Sequence, residues 1–230
     1  MNGSTRQWPW LAWAVALCAG ITISAASGGL PAALVFMFKP LTTVLILAHA
    51  WPRGAQMPRQ QVLIRIGLAL SLLGDIFLMW PKQGFLPGLL AFALAHGAYI
   101  AAFCQPVRIA ARAWPFAAYG AAAGLILAML WPGVPPGLRL PVLAYVVLLA
   151  TMAAQAAAWW HSRIAAPERV RARDAALGGL MFFVSDGLLA VNKFDTPLPL
   201  SALWILLSYW LAQWCIAGSL EAAPQSRSQA

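Results

Sequence analysis

The sequence predicts an all-α, polytopic membrane helix bundle with eight transmembrane helices and both termini on the cytoplasmic side. Three observations predict it. Hydrophobic residues make up 62% of the 230 residues and charged residues only 9%, with a mean hydropathy of +0.74. A soluble domain carries about 25% charged residues, so most of this chain must face lipid or other apolar helices. Breaks at Pro, Gly and Arg clusters divide the apolar sequence into stretches near the ~20 residues that a spanning helix needs. The cations then fall almost entirely in the gaps of one side.

The first span, 8–26, begins with Trp8 and Trp10 and ends in "ISAAS". That ending loosely mimics a signal-peptidase site, but the preceding region has a single Arg6 and the apolar stretch is long enough to cross, so a retained helix is expected. The second span, 30–50, contains Lys39-Pro40, and the third, 62–80, contains "SLLGDIFLMW". The fourth, 84–104, carries His96, and the fifth, 113–131, follows an Arg-rich gap. The sixth, 140–160, follows a Pro-Gly turn; the seventh, 175–192, contains "FFVSDGLLAV"; the eighth is 198–219. Residues 1–220 are expected to form one eight-helix domain and 221–230 a disordered polar tail. Asp75 on span three and Asp186 on span seven, each shortly before an outer loop, hint at an internal repeat of the parallel kind.

Orientation follows from the cations. Eleven arginines lie at the N-terminus, around the gaps 51–65, 105–112 and 161–174, and in the tail, whereas Lys82, Arg139 and Lys193 lie on the other side. The richer side is cytoplasmic by the positive-inside rule. The net charge of +9 therefore faces anionic headgroups, and no nucleic-acid partner is expected. Cys18, Cys104 and Cys215 each fall inside an apolar span without metal-ligand spacing and read as buried spectators.

An ionisable side chain at mid-span costs at least about 2.5–3.5 kcal/mol and is a functional hypothesis by default. Lys39, Asp75, His96 and Asp186 are the four that matter. Asp75 lies five residues before Trp80-Pro81 and Asp186 six before Asn192. At 1.5 Å per residue these are depths of roughly 7 and 9 Å beneath the non-cytoplasmic face. Ser71, Gly74, Asp75 and Leu78 share one helical stripe, as do Phe85, Gly88, Phe92, His96, Tyr99 and Phe103 on span four. On span seven the stripe is Gly178, Phe182, Ser185, Asp186, Leu189 and Lys193. The glycines let helices approach closely, so the polar members are expected to converge in a pocket opening to the outer half of the bilayer. Each also has a plainer reading: either aspartate pairs with Lys39 as a structural bond, and His96 is a core residue. His49 and His161 are expected at the cytoplasmic interface, and Thr43 and Thr151 are expected to satisfy their hydroxyls on their own helices. No metal site or other cofactor is expected, because only His96 lies near the aspartates. No G-x-S-x-G elbow is present either.

Five ordered motifs carry a family likeness. "KPLTTVLIL" at 39–47, "SLLGDIFLMW" at 71–80, "FLPGLLAFALAHGAYIAAF" at 85–103, "GGLMFFVSDGLLAVNKF" at 178–194 and "SYWLAQWCIAGSL" at 208–220 resemble the YhhN family of multi-pass membrane proteins. The resemblance implies lysoplasmalogenase activity in a bacterial inner membrane: hydrolysis of the vinyl-ether bond of choline or ethanolamine alkenyl-lysophospholipids to a fatty aldehyde and a glycerophospho-alcohol. It implies a lysophospholipid substrate entering from the bilayer, and the motif positions Lys39, Asp75, His96, Tyr99, Ser185, Asp186, Asn192, Lys193, Tyr209 and Gln213, to which the stripe adds Ser71.

The residues suit that chemistry. Protonating the outer alkene carbon gives an oxocarbenium ion that water attacks, which needs a neutral carboxylic acid and a carboxylate. Burial favours the neutral form of a carboxyl and a neighbouring cation the charged form, so two aspartates with unlike neighbours can divide the roles. Asp75, Asp186 and His96 are the expected catalytic set, with acid and base unassigned. Lys39 or Lys193 is expected to hold the phosphate, Lys193 being nearer the surface. Two rival readings stand beside this one. A proton-coupled transporter also uses intramembrane Asp, His and Lys. An intramembrane aspartyl protease matches only at Gly74-Asp75.

Overall fold

The computed structural model describes residues 9–80 and 82–221. Among these the chain is entirely helical, with no strand: α1 (Pro9–Ala26), α2 (Ala33–Ala50), α3 (Pro58–Phe77), α4 (Phe85–Phe103), α5 (Trp114–Leu130), α6 (Arg139–Ser162), α7 (Arg169–Phe194) and α8 (Ser201–Gly218). Two 3-10 turns, Trp131–Gly133 and Pro136–Leu138, connect α5 to α6. Seven of the helices are long and apolar enough to cross a membrane, and the apolar stretch of α1, Trp10–Ala26, is shorter. In a bilayer a helix meets every backbone polar group internally, which is why apolar runs of this length fold this way.

The ends depart most from the expected spans in α3 and α7, while α2 and α8 each start three residues later than expected. α3 starts at Pro58, where a proline at the first helical position loses no intrahelical bond, and it stops at Phe77. Asp75 is therefore two residues from the helix end, about 3 Å by the helical rise. α7 starts at Arg169 and runs through Arg171, Arg173 and Asp174, so the expected gap 161–174 shrinks to 163–168. Arg6, Arg227 and all of the tail beyond Glu221 lie outside the described residues. Glu221, assigned above to a disordered tail, is fixed: its carbonyl accepts the Gly54 N–H at 2.7 Å and its carboxylate pairs with Arg171 at 3.5 Å.

Helices pack in the order α2–α3–α4–α6–α7–α8, and α8 returns to α2. α1 lies outside on α2 and α8, and α5 outside on α6 and α7. Glycine sets the closest approaches. A Cβ on Gly67 would stand 2.2 Å from Tyr99 Cε1, and one on Gly74 2.6 Å from Phe92 Cε2. A Cβ on Gly178 would stand 2.9 Å from the Ala212 carbonyl, and one on Gly179 3.0 Å from Ala153 Cα. Buried Gln155 closes the end from which α7 starts: its Oε1 accepts the Ala110 N–H at 3.1 Å, and its amide faces the carbonyls of Phe103, Val107 and Arg108 at 3.3–3.4 Å. The outward faces are apolar, with Trp13, Met129 and Leu140 more than 70% exposed, as a lipid-facing surface requires.

Candidate active site

Asp75 is 1% exposed and fully engaged. Its Oδ2 accepts the Thr43 hydroxyl at 2.6 Å and the Tyr209 hydroxyl at 2.8 Å, and its Oδ1 faces Lys39 Nζ at 3.6 Å. Lys39 and Thr43 are four residues apart on α2 and so present one face to α3. Thr43 thus departs from expectation: its hydroxyl donates across helices rather than to its own backbone, and the Trp210 indole donates to it at 3.3 Å. The Tyr209 ring is held edge-on by Phe92 and Phe182, with centroids 5.7 and 5.5 Å away.

Asp186 has a simpler environment. The Tyr145 hydroxyl of α6 donates to its Oδ2, and Asp186 makes no ion pair among the described residues. Both carboxylates line one cavity of about 430 Å³, together with Lys39, Tyr145, Ser185, Asn192, Lys193 and Tyr209. That volume is within the ~300–1,000 Å³ of small-ligand sites. Ser185 donates to the Ile205 carbonyl at 3.0 Å, tying α7 to α8 beside the site. Asn192 Oδ1 accepts the Leu198 N–H at 2.9 Å and shapes the outer α7–α8 turn. Lys193 is exposed, with its ammonium 4.9 Å from the Phe85 ring centre and no ion pair among the described residues. Of the two lysines considered for a phosphate, Lys39 is therefore committed to Asp75 and Lys193 is free.

Four expected site residues stand behind the cavity wall rather than on it. Tyr99 donates to Gln213 Oε1 at 2.7 Å and lies 3.5 Å from the Ser71 hydroxyl, a buried network joining α3, α4 and α8. His96 is fully buried in an aromatic cage, 4.7 Å from Phe182 and 5.2 Å from Tyr145 between ring centres. Neither of its ring nitrogens meets a hydrogen-bonding partner among the described residues. No cluster of three metal-ligating side chains occurs among the described residues.

Sequence reasoning missed Tyr145, Thr43 and Trp210. A signal for Tyr145 was present: the chain has only four tyrosines, and a phenol inside a membrane span needs a partner for its hydroxyl. For Thr43 and Trp210 no such signal exists, because both have ordinary roles on an isolated helix.

The five motifs noted above are thus distributed around one cavity and its backing, and the sequence pattern of the YhhN family matches residues 34–220. The chain belongs to the YhhN family. It is 36% identical over 157 residues to lysoplasmalogenase TMEM86A of Homo sapiens, covering 67% of this chain and 63% of the human one. It is 33% identical over 200 residues to lysoplasmalogenase TMEM86B of Sus scrofa, covering 84% and 76%. It is 30% identical over 178 residues to the membrane protein YhhN of Escherichia coli O157:H7, covering 77% and 82%. The chain thus spans 63% of the length of the TMEM86A relatives it matches. No solved structure matches it.

Proposed function

We propose that this YhhN protein is a lysoplasmalogenase that cleaves the vinyl-ether bond of alkenyl-lysophospholipids inside the bilayer. The observation that carries the reading is the pair of carboxylates on one cavity with unlike partners. Asp75, held by an ammonium and two hydroxyl donors, is the carboxylate. Asp186, with one hydroxyl partner and no cation among the described residues, is the acid. The Asp186 proton goes to the outer alkene carbon, and the positive charge spreads over the adjacent carbon and the ether oxygen. The Asp75 carboxylate stabilises that charge and takes a proton from the water that adds to the same carbon. The hemiacetal then collapses: Asp75 returns its proton to the departing glycerol oxygen, the hydroxyl proton goes to Asp186, and the chain leaves as aldehyde with both groups restored. His96 packs behind Tyr145 and takes no part in these steps. Lys193 at the mouth binds the phosphate.

The same reading places eight helices across a bacterial inner membrane as one domain, with both termini cytoplasmic and the cavity open to the outer half. The cation asymmetry supports it, as does the packing of α1 onto α2 and α8.

The test is purified protein with alkenyl-, alkyl- and acyl-lysophospholipids, measuring free aldehyde. Release from the alkenyl lipid alone is expected. Release of fatty acid from the acyl lipid, or solute flux in proteoliposomes without cleavage, overturns the reading.

A further inference from the structure

The cavity wall is mostly apolar, Phe85, Leu89 and Phe92 of α4 included, and its polar groups are unevenly placed. From α2, α3, α8 and the outer end of α7 it takes Lys39, Asp75, Tyr209, Asn192 and Lys193. From α5 it takes only apolar side chains, and α6 adds only apolar ones beside Tyr145, whose hydroxyl is committed to Asp186. Ala123, Ile126 and Leu130 lie at helical spacing on α5, so one stripe of this outer helix closes the wing while Leu125 and Met129 face lipid.

α7 explains why the wing is open. In the half nearer its start, Gly178 and Gly179 are pressed against neighbours, where an added Cβ would stand 2.7 and 3.0 Å from Ile216 Cγ1 and Ala153 Cα. Two turns further on, an added Cβ at Gly187 would meet only Ile126 Cδ1, at 3.9 Å. The helix is therefore sealed below and spaced from α5 above, and Gly187 follows Asp186 directly.

We infer that the α5–α6–α7 wing is the subsite for the substrate's hydrocarbon chain and that Gly187 keeps it wide enough to admit that chain. The inference rests on the vinyl-ether reading for its orientation. The carbon that takes the proton is the second of the alkenyl chain, on the hydrocarbon side of the reacting bond, and Asp186 stands at the border of the apolar wing. The carbon that becomes cationic bears the ether oxygen and lies towards the headgroup, the side of Asp75 and Lys193. A single chain in the wing thus puts each carboxylate on its own end of the reacting bond.

Gly187→Ala adds one carbon in ordinary contact, and Gly187→Leu fills the wing beside Ile126; both raise helix propensity and leave α7 intact. Gly124→Leu on α5, where nothing stands within 4 Å and the face is exposed, adds the same bulk towards lipid and is the control. With a series of alkenyl-lysophospholipids of rising chain length, Gly187→Leu is expected to lower kcat/KM for long chains relative to short ones by roughly 10–200-fold, the value of displacing a methylene from an apolar pocket. Gly187→Ala is expected to shift the chain-length preference in the same direction but by less than Gly187→Leu, and Gly124→Leu is expected to stay near wild type. Equal loss at every chain length, or no loss, overturns the assignment. A second measurement needs no turnover: an alkyl-ether lysophospholipid with a mid-chain diazirine is photolysed on wild type. Labels at Ala123, Ile126 and Leu130 on α5 and at Val142, Val146 and Leu149 on α6 are expected, and labels confined to α2 and α8 or to Leu125 and Met129 overturn the subsite. Because the alkyl ether lacks the vinyl bond, this labelling is independent of aldehyde release, so failure of the subsite and failure of the hydrolase reading are told apart.

Discussion

Removing the ammonium from the Lys39–Asp75 pair tests the electrostatic core of the site. The charges are 3.6 Å apart, with side chains 11% and 2% exposed. At an effective dielectric constant near 20 their attraction is about 4.6 kcal/mol. Much of that offsets desolvation, but deleting one member of a buried pair strands the other and costs about 3–5 kcal/mol. Lys39→Met is expected to destabilise the protein by that amount. Asp75→Asn should cost less, because the Asn carbonyl still accepts from Thr43 and Tyr209, and Lys39 has a flexible stem that can turn its ammonium into the cavity. In the double variant no buried charge is stranded, so it should be no less stable than Lys39→Met alone, with a coupling of about 2 kcal/mol, as expected within one network. Denaturation of the four proteins in one detergent measures the cycle, and aldehyde release from the same samples should be lost in all three variants. Additivity within about 0.5 kcal/mol, the behaviour of independent sites, would refute the account of Asp75 as a cation-held carboxylate.

Asp186→Asn should lower aldehyde release by about 10²–10⁴-fold, the usual contribution of a positioned acid, with Tm nearly unchanged; single-turnover assays on folded protein check it. Tyr145→Phe removes the one hydroxyl donor to Asp186 and should cost about 0.5–1.5 kcal/mol of stability along with a drop in kcat, read by denaturation and steady-state kinetics. His96→Phe replaces a caged ring with no hydrogen-bonding partner by one of similar shape. It should leave Tm equal or higher and aldehyde release within about tenfold of wild type; loss of activity in folded protein would return His96 to the chemistry. Gln155→Leu should cost about 1–3 kcal/mol and expose the 104–113 connection to protease, because four backbone groups lose their shared partner.

What the sequence alone made legible follows from the solvent. A backbone in lipid has few alternatives to helix, so apolar runs marked the spans to within a few residues across most of the chain. The two larger errors have one cause: a helix does not end where its apolar run ends. Gln60 at the start of α3 is buried although polar, and the Arg-rich first turns of α7 remain helical beyond the apolar stretch. Charges in apolar runs stand out in the same way, so Lys39, Asp75 and Asp186 were visible as candidates. Their partners were not. Helical periodicity says which face a side chain occupies but not which helix lies opposite. The Thr43–Asp75 bond spans 32 residues, Tyr145–Asp186 spans 41 and Tyr209–Asp75 spans 134. His96 illustrates the limit from the other side: an aromatic cage and a polar pocket require the same stripe, Phe92, His96 and Tyr99, on its own helix.

The bundle divides its labour by depth. In the half where α7 begins, Gly67 makes room for the Tyr99 ring, Gly178 against α8 and Gly179 against α6 bring backbones together, and Gln155 ties down the adjoining connection. In the other half Gly74 still meets Phe92 and Gly133 the Phe194 carbonyl, but α7 at Gly187 stands free of close contact and the cavity opens. Close packing supplies most of the association energy of helices in lipid, where no hydrophobic force draws them together. A site of 430 Å³ forfeits such contacts over its wall, so the close contacts away from the cavity carry more of the load. Substitutions in the sealed half, such as Gly67→Ala into the Tyr99 ring, should therefore lower stability first and activity only through it. Those at the open half, such as Asp186→Asn or Gly187→Leu, should change turnover in protein that remains folded.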